Sequence, residues 1–140
     1  MRVLLHIGIA VTILGTPAML RADDLRGTDR FLCTAIQATA CFVDGDCVMD
    51  VPANLNVPQF IVVDLKARSL ATTKASGQNR STAVEHVRRE NGTIVLQGYE
   101  RERAFSIVIH EESGDLSAAV AQDGRAVAVF GACTPAVGVP

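Results

Sequence analysis

TIVLQGYERERAFSIVIHEESGDLSAAVAQDGRAVAVFGACTP, residues 93–135, decides the class of fold. Within it Phe105, Ile107 and Ile109 alternate with Ser106, Val108 and His110. That period of two is what a strand with one buried face produces and a helix does not. In the preceding segment Ile94 and Leu96 stand against Val95, Gln97 and Tyr99, a weaker split of the same kind. The last two segments are Ala and Val on both faces, as expected of strands covered on both sides or of a tightly bending sheet. Ser113-Gly114-Asp115 and Asp123-Gly124-Arg125 lie between them and supply residues that tolerate the positive φ of a tight hairpin.

The same grammar extends upstream. Short β-branched runs separated by turn signals predict strands at Ile36 to Val43, Cys47 to Val51, Phe60 to Asp64, Ser69 to Thr73, Ser81 to Arg88, Thr93 to Gly98, Ala104 to His110, Leu116 to Gln122 and Ala126 to Phe130. Sequential strands joined by short loops run antiparallel. The expectation is therefore an all-β antiparallel meander, and this many strands must close into a small barrel or fold into a sandwich. Ala75 to Arg80, rich in Ser, Gly, Gln and Asn, reads as a mobile loop.

The first residues read as an address. Arg2 precedes an apolar run from Val3 to Leu14, then Gly15 and Pro17 break any helix and Leu20-Arg21-Ala22 offers a small residue for signal peptidase. Residues 1–22 are expected to be a signal peptide, residues 23–30 a flexible tail and residues 31–140 one disulfide-stapled β domain. The apolar run is too short for a membrane anchor, so no stable span is expected after cleavage. Periplasmic or secreted localisation follows. Cleavage removes Arg2 and Arg21 and no acid, leaving 11 basic side chains against 15 acidic ones, about four net negative charges. With no basic run, nucleic acid is excluded as a partner.

Cys33, Cys41, Cys47 and Cys133 form an even set in a short exported chain, the pattern of a disulfide framework rather than a zinc site, whose ligands usually come in CxxC-type pairs. A three-residue loop Val43-Asp44-Gly45, with Gly45 left-handed, would set Cys41 opposite Cys47. Directly opposed strand positions are within disulfide reach. That leaves Cys33 for Cys133.

No GxSxG elbow, phosphate loop or HExxH motif occurs, and oxidised thiols remove a cysteine nucleophile. Neither a catalytic residue nor a cofactor is assigned, and no metal ligands are expected: the Asp44, Asp46 and Asp50 cluster lacks the closing Glu of a calcium loop. The polar groups worth following are His110 with Glu111 and Glu112, which read mainly as a solvated strand end, and Arg101 and Arg103, which read mainly as surface charge pairs in a hairpin of alternating charge, with a substrate carboxylate clamp using Arg101 or Arg103 as the alternative. His86, Arg88-Arg89 and Glu111-Glu112 read as solvated strand residues.

Ile94 to Pro135, with LQGYERERAFSIVIHEESGDLSAAV and the closing VFGACTP, resembles small exported proteobacterial proteins of unassigned activity, as do the early cysteines followed by Val57-Pro58-Gln59-Phe60. The resemblance implies export and a β-rich fold and carries no site residues. In size and disulfide use the chain is also similar to exported β-barrel lysozyme inhibitors, but it lacks their Ser/Gly-rich inhibitory loop with its basic and aromatic residues. The leading functional expectation is a non-enzymatic cell-envelope binding or interaction protein for a small molecule or an envelope protein. Scarce aromatics, five Phe, one Tyr and no Trp, leave room for a partly hollow interior. The alternatives are an inhibitor or accessory subunit, and an enzyme with a His/carboxylate site.

Overall fold

The computed structural model describes residues 24–136, so the expected signal peptide at 1–22 lies outside the described residues. Ten strands follow in order: β1 Arg30–Phe42, β2 Cys47–Asp50, β3 Phe60–Asp64, β4 Ser69–Thr72, β5 Ser81–Ala83, β6 His86–Glu90, β7 Thr93–Glu100, β8 Arg103–His110, β9 Asp115–Gln122 and β10 Arg125–Pro135. All pairings are antiparallel, and the strands lie in the order β5-β4-β3-β1-β10-β9-β8-β7-β6, with β2 as a flap on β1. The all-β meander is therefore present, curled into a half-barrel.

The curl has a covalent reason. The edge strands β5 and β6 are consecutive pieces of one extended segment, separated by Val84 and Glu85 alone. Val84 N–H donates to the Arg68 carbonyl beside β4, and Glu85 N–H donates to the Gln97 carbonyl on β7. The segment thus changes partner in two residues and brings the two ends of the sheet together, with β5 also packing beside β7. The single strand expected at Ser81 to Arg88 is split for this reason.

β1 and β10 form the longest ladder, from Phe31↔Pro135 to Phe42↔Arg125, and Cys33 is bonded to Cys133 directly across it. One extra residue at Ile36 bulges β1, after which its other edge exchanges β3 for β2. Across from the bulge, a side chain at Gly131 would run into the Thr34 carbonyl, which is why that position carries none. The β1–β2 turn forms as its residues require: Phe42 N–H donates to the Asp46 carbonyl, Gly45 sits at φ 93°, and Cys41 is bonded to Cys47 at a Cα separation of 4.1 Å.

Inward residues differ between the two ends. At the end holding the β6–β7 and β8–β9 turns, Phe31, Val63, Ile94, Leu96 and Ile109 are fully buried and fill the space. Leu25 completes that plug at 0% exposure, its N–H donating to the Glu111 carbonyl. The segment expected to be a flexible tail is thus anchored at Leu25 and held again at Thr28 and Asp29, with Arg26 and Gly27 exposed between them. Arg89 holds it there: the guanidinium donates to the Leu25 carbonyl at 3.0 Å, the Thr28 carbonyl at 2.9 Å and Glu111 Oε1 at 2.5 Å. Arg89 and Glu111 are not the solvated strand residues expected from the sequence, because the incoming chain covers them; Glu111 is only 7% exposed.

The two disulfides close loops of very different length, separations of 100 and 6 residues. In the chain-entropy account the long closure stabilises by up to about 4.7 kcal/mol and the short one by about 2 kcal/mol. Urea titration of the two double-alanine variants is expected to show the Cys33/Cys133 variant losing about twice the stability of the Cys41/Cys47 variant.

Candidate functional site

At the opposite end the inward side chains are small. Ala35, Ala118, Val120, Val127 and Val129 leave a cavity of ≈ 150 Å³, bounded below by Ile107 and Leu116 and at the side by Phe105. Ala38 and Ala40 continue this light packing along β1. Gly98 belongs to the same design, since a Cβ there would stand 2.5 Å from the Phe105 ring. Leu55, which ends a 3-10 turn at Pro52–Leu55, and Val57 and Pro58 just after it line the opening.

The mouth is polar and mostly cationic. Arg80, Glu100, Arg103, Gln122 and Arg125 all line it. Their placement follows from register: Glu100 faces Arg103 across the β7–β8 turn, Gln122 faces Arg125 across the β9–β10 turn, and Arg125 faces Phe42. The β8–β9 ladder reaches Ala104↔Ala121, so the next step sets Arg103 beside Gln122. One transverse row therefore runs Glu100, Arg103, Gln122, Arg125, Phe42, with about 4.8 Å between neighbouring strands. The β7–β8 turn that fixes this register holds Arg101 and Glu102 at φ 46° and 62°, a left-handed pair that side-chain-bearing residues rarely adopt.

Glu100 is the electrostatic centre of the row. Its Oε2 accepts from Arg80 at 3.0 Å and from Arg103 at 3.2 Å. Burial acts to raise its pKa, but hydrogen bonds from Thr82 and Arg80 and the charges of Arg80 and Arg103 outweigh it and hold the carboxyl below its ordinary value. Arg125 is placed differently. Its Nη2 donates to the Leu55 carbonyl at 3.1 Å and its guanidinium carbon lies 5.6 Å from the Phe42 ring centroid, while its buried Nε has no partner.

The structure divides the four polar residues singled out from the sequence. Arg103 lines the cavity; Arg101 stands exposed at the turn tip and does not. His110 and Glu111 are at the filled end. His110 Nδ1 lies 3.1 Å from Ser113 Oγ, which donates to Asp115 at 2.7 Å, in an exposed turn network remote from the cavity lining. Arg80, Glu100, Gln122 and Arg125 also line the cavity, and the linear pattern does not single them out, although it carries a signal for two of the row. Extending the inward parity of Phe105, Ile107 and Ile109 by one step reaches Arg103, and extending that of Ile94 and Leu96 by two steps, through Gly98, reaches Glu100. Arg80, expected in a mobile loop, is pinned by its N–H to Thr72 Oγ1 at 2.8 Å.

No family model, curated protein or solved structure matches this chain. Among the described residues no helix is long and apolar enough to cross a membrane, and no group of three or more His, Cys, Asp and Glu side chains is arranged to hold a metal.

Because the folded state holds Glu100 below its ordinary pKa of 4.5, its contribution is complete above that pH and is lost as pH falls through the lowered folded value. Glu100→Gln is expected to cost about 1 kcal/mol at neutral pH. It is also expected to flatten the loss of stability that the parent protein shows below pH 4.5, as read by urea titration across pH.

Proposed function

We propose that this chain is a non-enzymatic binding protein of an oxidising extracytoplasmic compartment, periplasmic or secreted, that holds a small molecule by an apolar body within the barrel. The observation that carries this reading is the asymmetry of filling: one end is plugged by large side chains and the other keeps an apolar cavity of ≈ 150 Å³ beneath a polar rim. Close packing is the rule in protein interiors, and a void of this size forfeits many favourable contacts. A ligand of matching shape restores them. Two disulfides agree with an oxidising compartment, and the signal-like residues 1–22 supply the route to it.

Neutral apolar probes test this reading. Toluene or 1-hexanol is expected to give saturable amide NMR shifts confined to residues lining the cavity, together with a rise in Tm. Ala118→Leu, which fills the space from the β9 side, is expected to keep the fold and abolish those shifts. Absence of saturable binding to the parent protein would overturn the proposal.

The β1–β2 hairpin favours a second reading, a protein partner. Val43, Val48, Met49 and Val51 are 87, 48, 66 and 58% exposed on a flap stapled by Cys41–Cys47, more exposed apolar surface than a turn requires. Cross-linking from a photoreactive residue at position 49 in the intact envelope is expected to trap one defined protein, and the same residue at position 101 is expected to trap none. Equal labelling from both positions removes this reading.

A further inference from the structure

The mouth brings three guanidinium groups, Arg80, Arg103 and Arg125, against a single carboxylate, Glu100, although the chain as a whole carries a net negative charge. Arg80 and Arg103 share one oxygen of that carboxylate. Among the described residues Arg125 makes no ion pair, and its buried Nε lacks any acceptor. A buried donor without a partner is costly, and more so when it belongs to a charged group. Arg125 is nevertheless held in place from two sides by the Leu55 carbonyl and the Phe42 ring. It is thus pre-oriented, with donor capacity left over, at the rim of an apolar chamber.

We propose, building on the small-molecule reading above, that the cavity is selective for a small amphipathic carboxylate. Its headgroup is held by Arg125, together with Gln122 and Arg103 in the same transverse row. Its apolar body of about six carbon atoms points towards Ile107 and Leu116. The size follows from the volume: a cavity near 150 Å³ accommodates a benzene-sized guest. The charge follows from the row. Arg103, Gln122 and Arg125 occupy one rung across the neighbouring strands β8, β9 and β10, so their side chains can converge on one planar acceptor. A guanidinium offers the two parallel donors that a carboxylate accepts. The carboxylate accepts from Arg125 Nη1, which donates to nothing in the structure and is not among the buried unpartnered atoms, and it reduces the charge imbalance at the mouth. Glu100, already engaged by Arg80 and Arg103, repels a headgroup that approaches on the β7 side and so steers it towards Arg125.

Hexanoate, 1-hexanol and hexylammonium, each a straight chain of six carbons in all and differing in the headgroup, separate the headgroup from the chamber. With the intact protein at pH 7 and low salt, NMR titration is expected to show hexanoate binding at least tenfold more tightly than 1-hexanol, with hexylammonium weakest. Arg125→Gln is expected to bring hexanoate to the level of 1-hexanol. Should that variant fail to fold, two measurements on the parent protein decide. Added salt should weaken hexanoate but not 1-hexanol. The carboxyl of bound, 13C-labelled hexanoate should titrate below its free value. Equal affinity for hexanoate and 1-hexanol, or a carboxyl titrating at or above its free value, overturns the carboxylate assignment and leaves the apolar chamber standing. Failure of all three probes removes both proposals.

Discussion

Pairing of the first strand with the last is the constraint on which everything else rests. β1 and β10 lie about a hundred residues apart in the chain, so bringing them together costs loop-closure entropy that no local turn can offset. The Cys33–Cys133 bond sits inside that ladder, joining residues already opposed in register. With the seam held, the meander from β6 to β10 and the shorter one from β3 to β5 have no freedom to open as a flat sheet. They meet where Val84 and Glu85 carry the chain from one to the other.

Curling the sheet creates an inside, and the side chains fill it unevenly. Large residues and the incoming Leu25 close one end, and Arg89 locks that closure by satisfying backbone carbonyls and the Glu111 carboxylate together. Alanines and valines at the other end cannot meet across the same diameter. The filled end supplies the packing that sustains the hollow one. The hollow end can therefore carry arginines whose donors are not all matched, and unmatched donors at a cavity are what a binding site needs.

Much of the scaffold was legible in linear form because its signals are local. Alternation at Phe105, Ile107 and Ile109 and the glycine-bearing turns at residues 113–115 and 123–125 announce strands and hairpins within a few residues of themselves. Cys41 and Cys47 announce each other through a three-residue loop, and Cys33 and Cys133 are then paired by elimination. The site was hardly legible. Arg101 and Arg103 have equal standing in the linear chain, and only the turn between β7 and β8 points Arg103 into the mouth of the half-barrel and Arg101 into solvent. Glu111 read as surface because only the return of Leu25 buries it.

By itself the sequence determined strand periodicity, hairpin turns, cysteine pairing and the signal-like character of residues 1–22, since each is encoded in spacing over short stretches. Only the tertiary structure decided which end of the sheet is filled, that Ser81 to Arg88 must divide between two partners, and that Glu100, Arg103, Gln122 and Arg125 stand in one row. Those outcomes depend on curvature and on register across strands distant in the chain. Such relations are set by the packing of all the strands at once and leave no mark in any single segment.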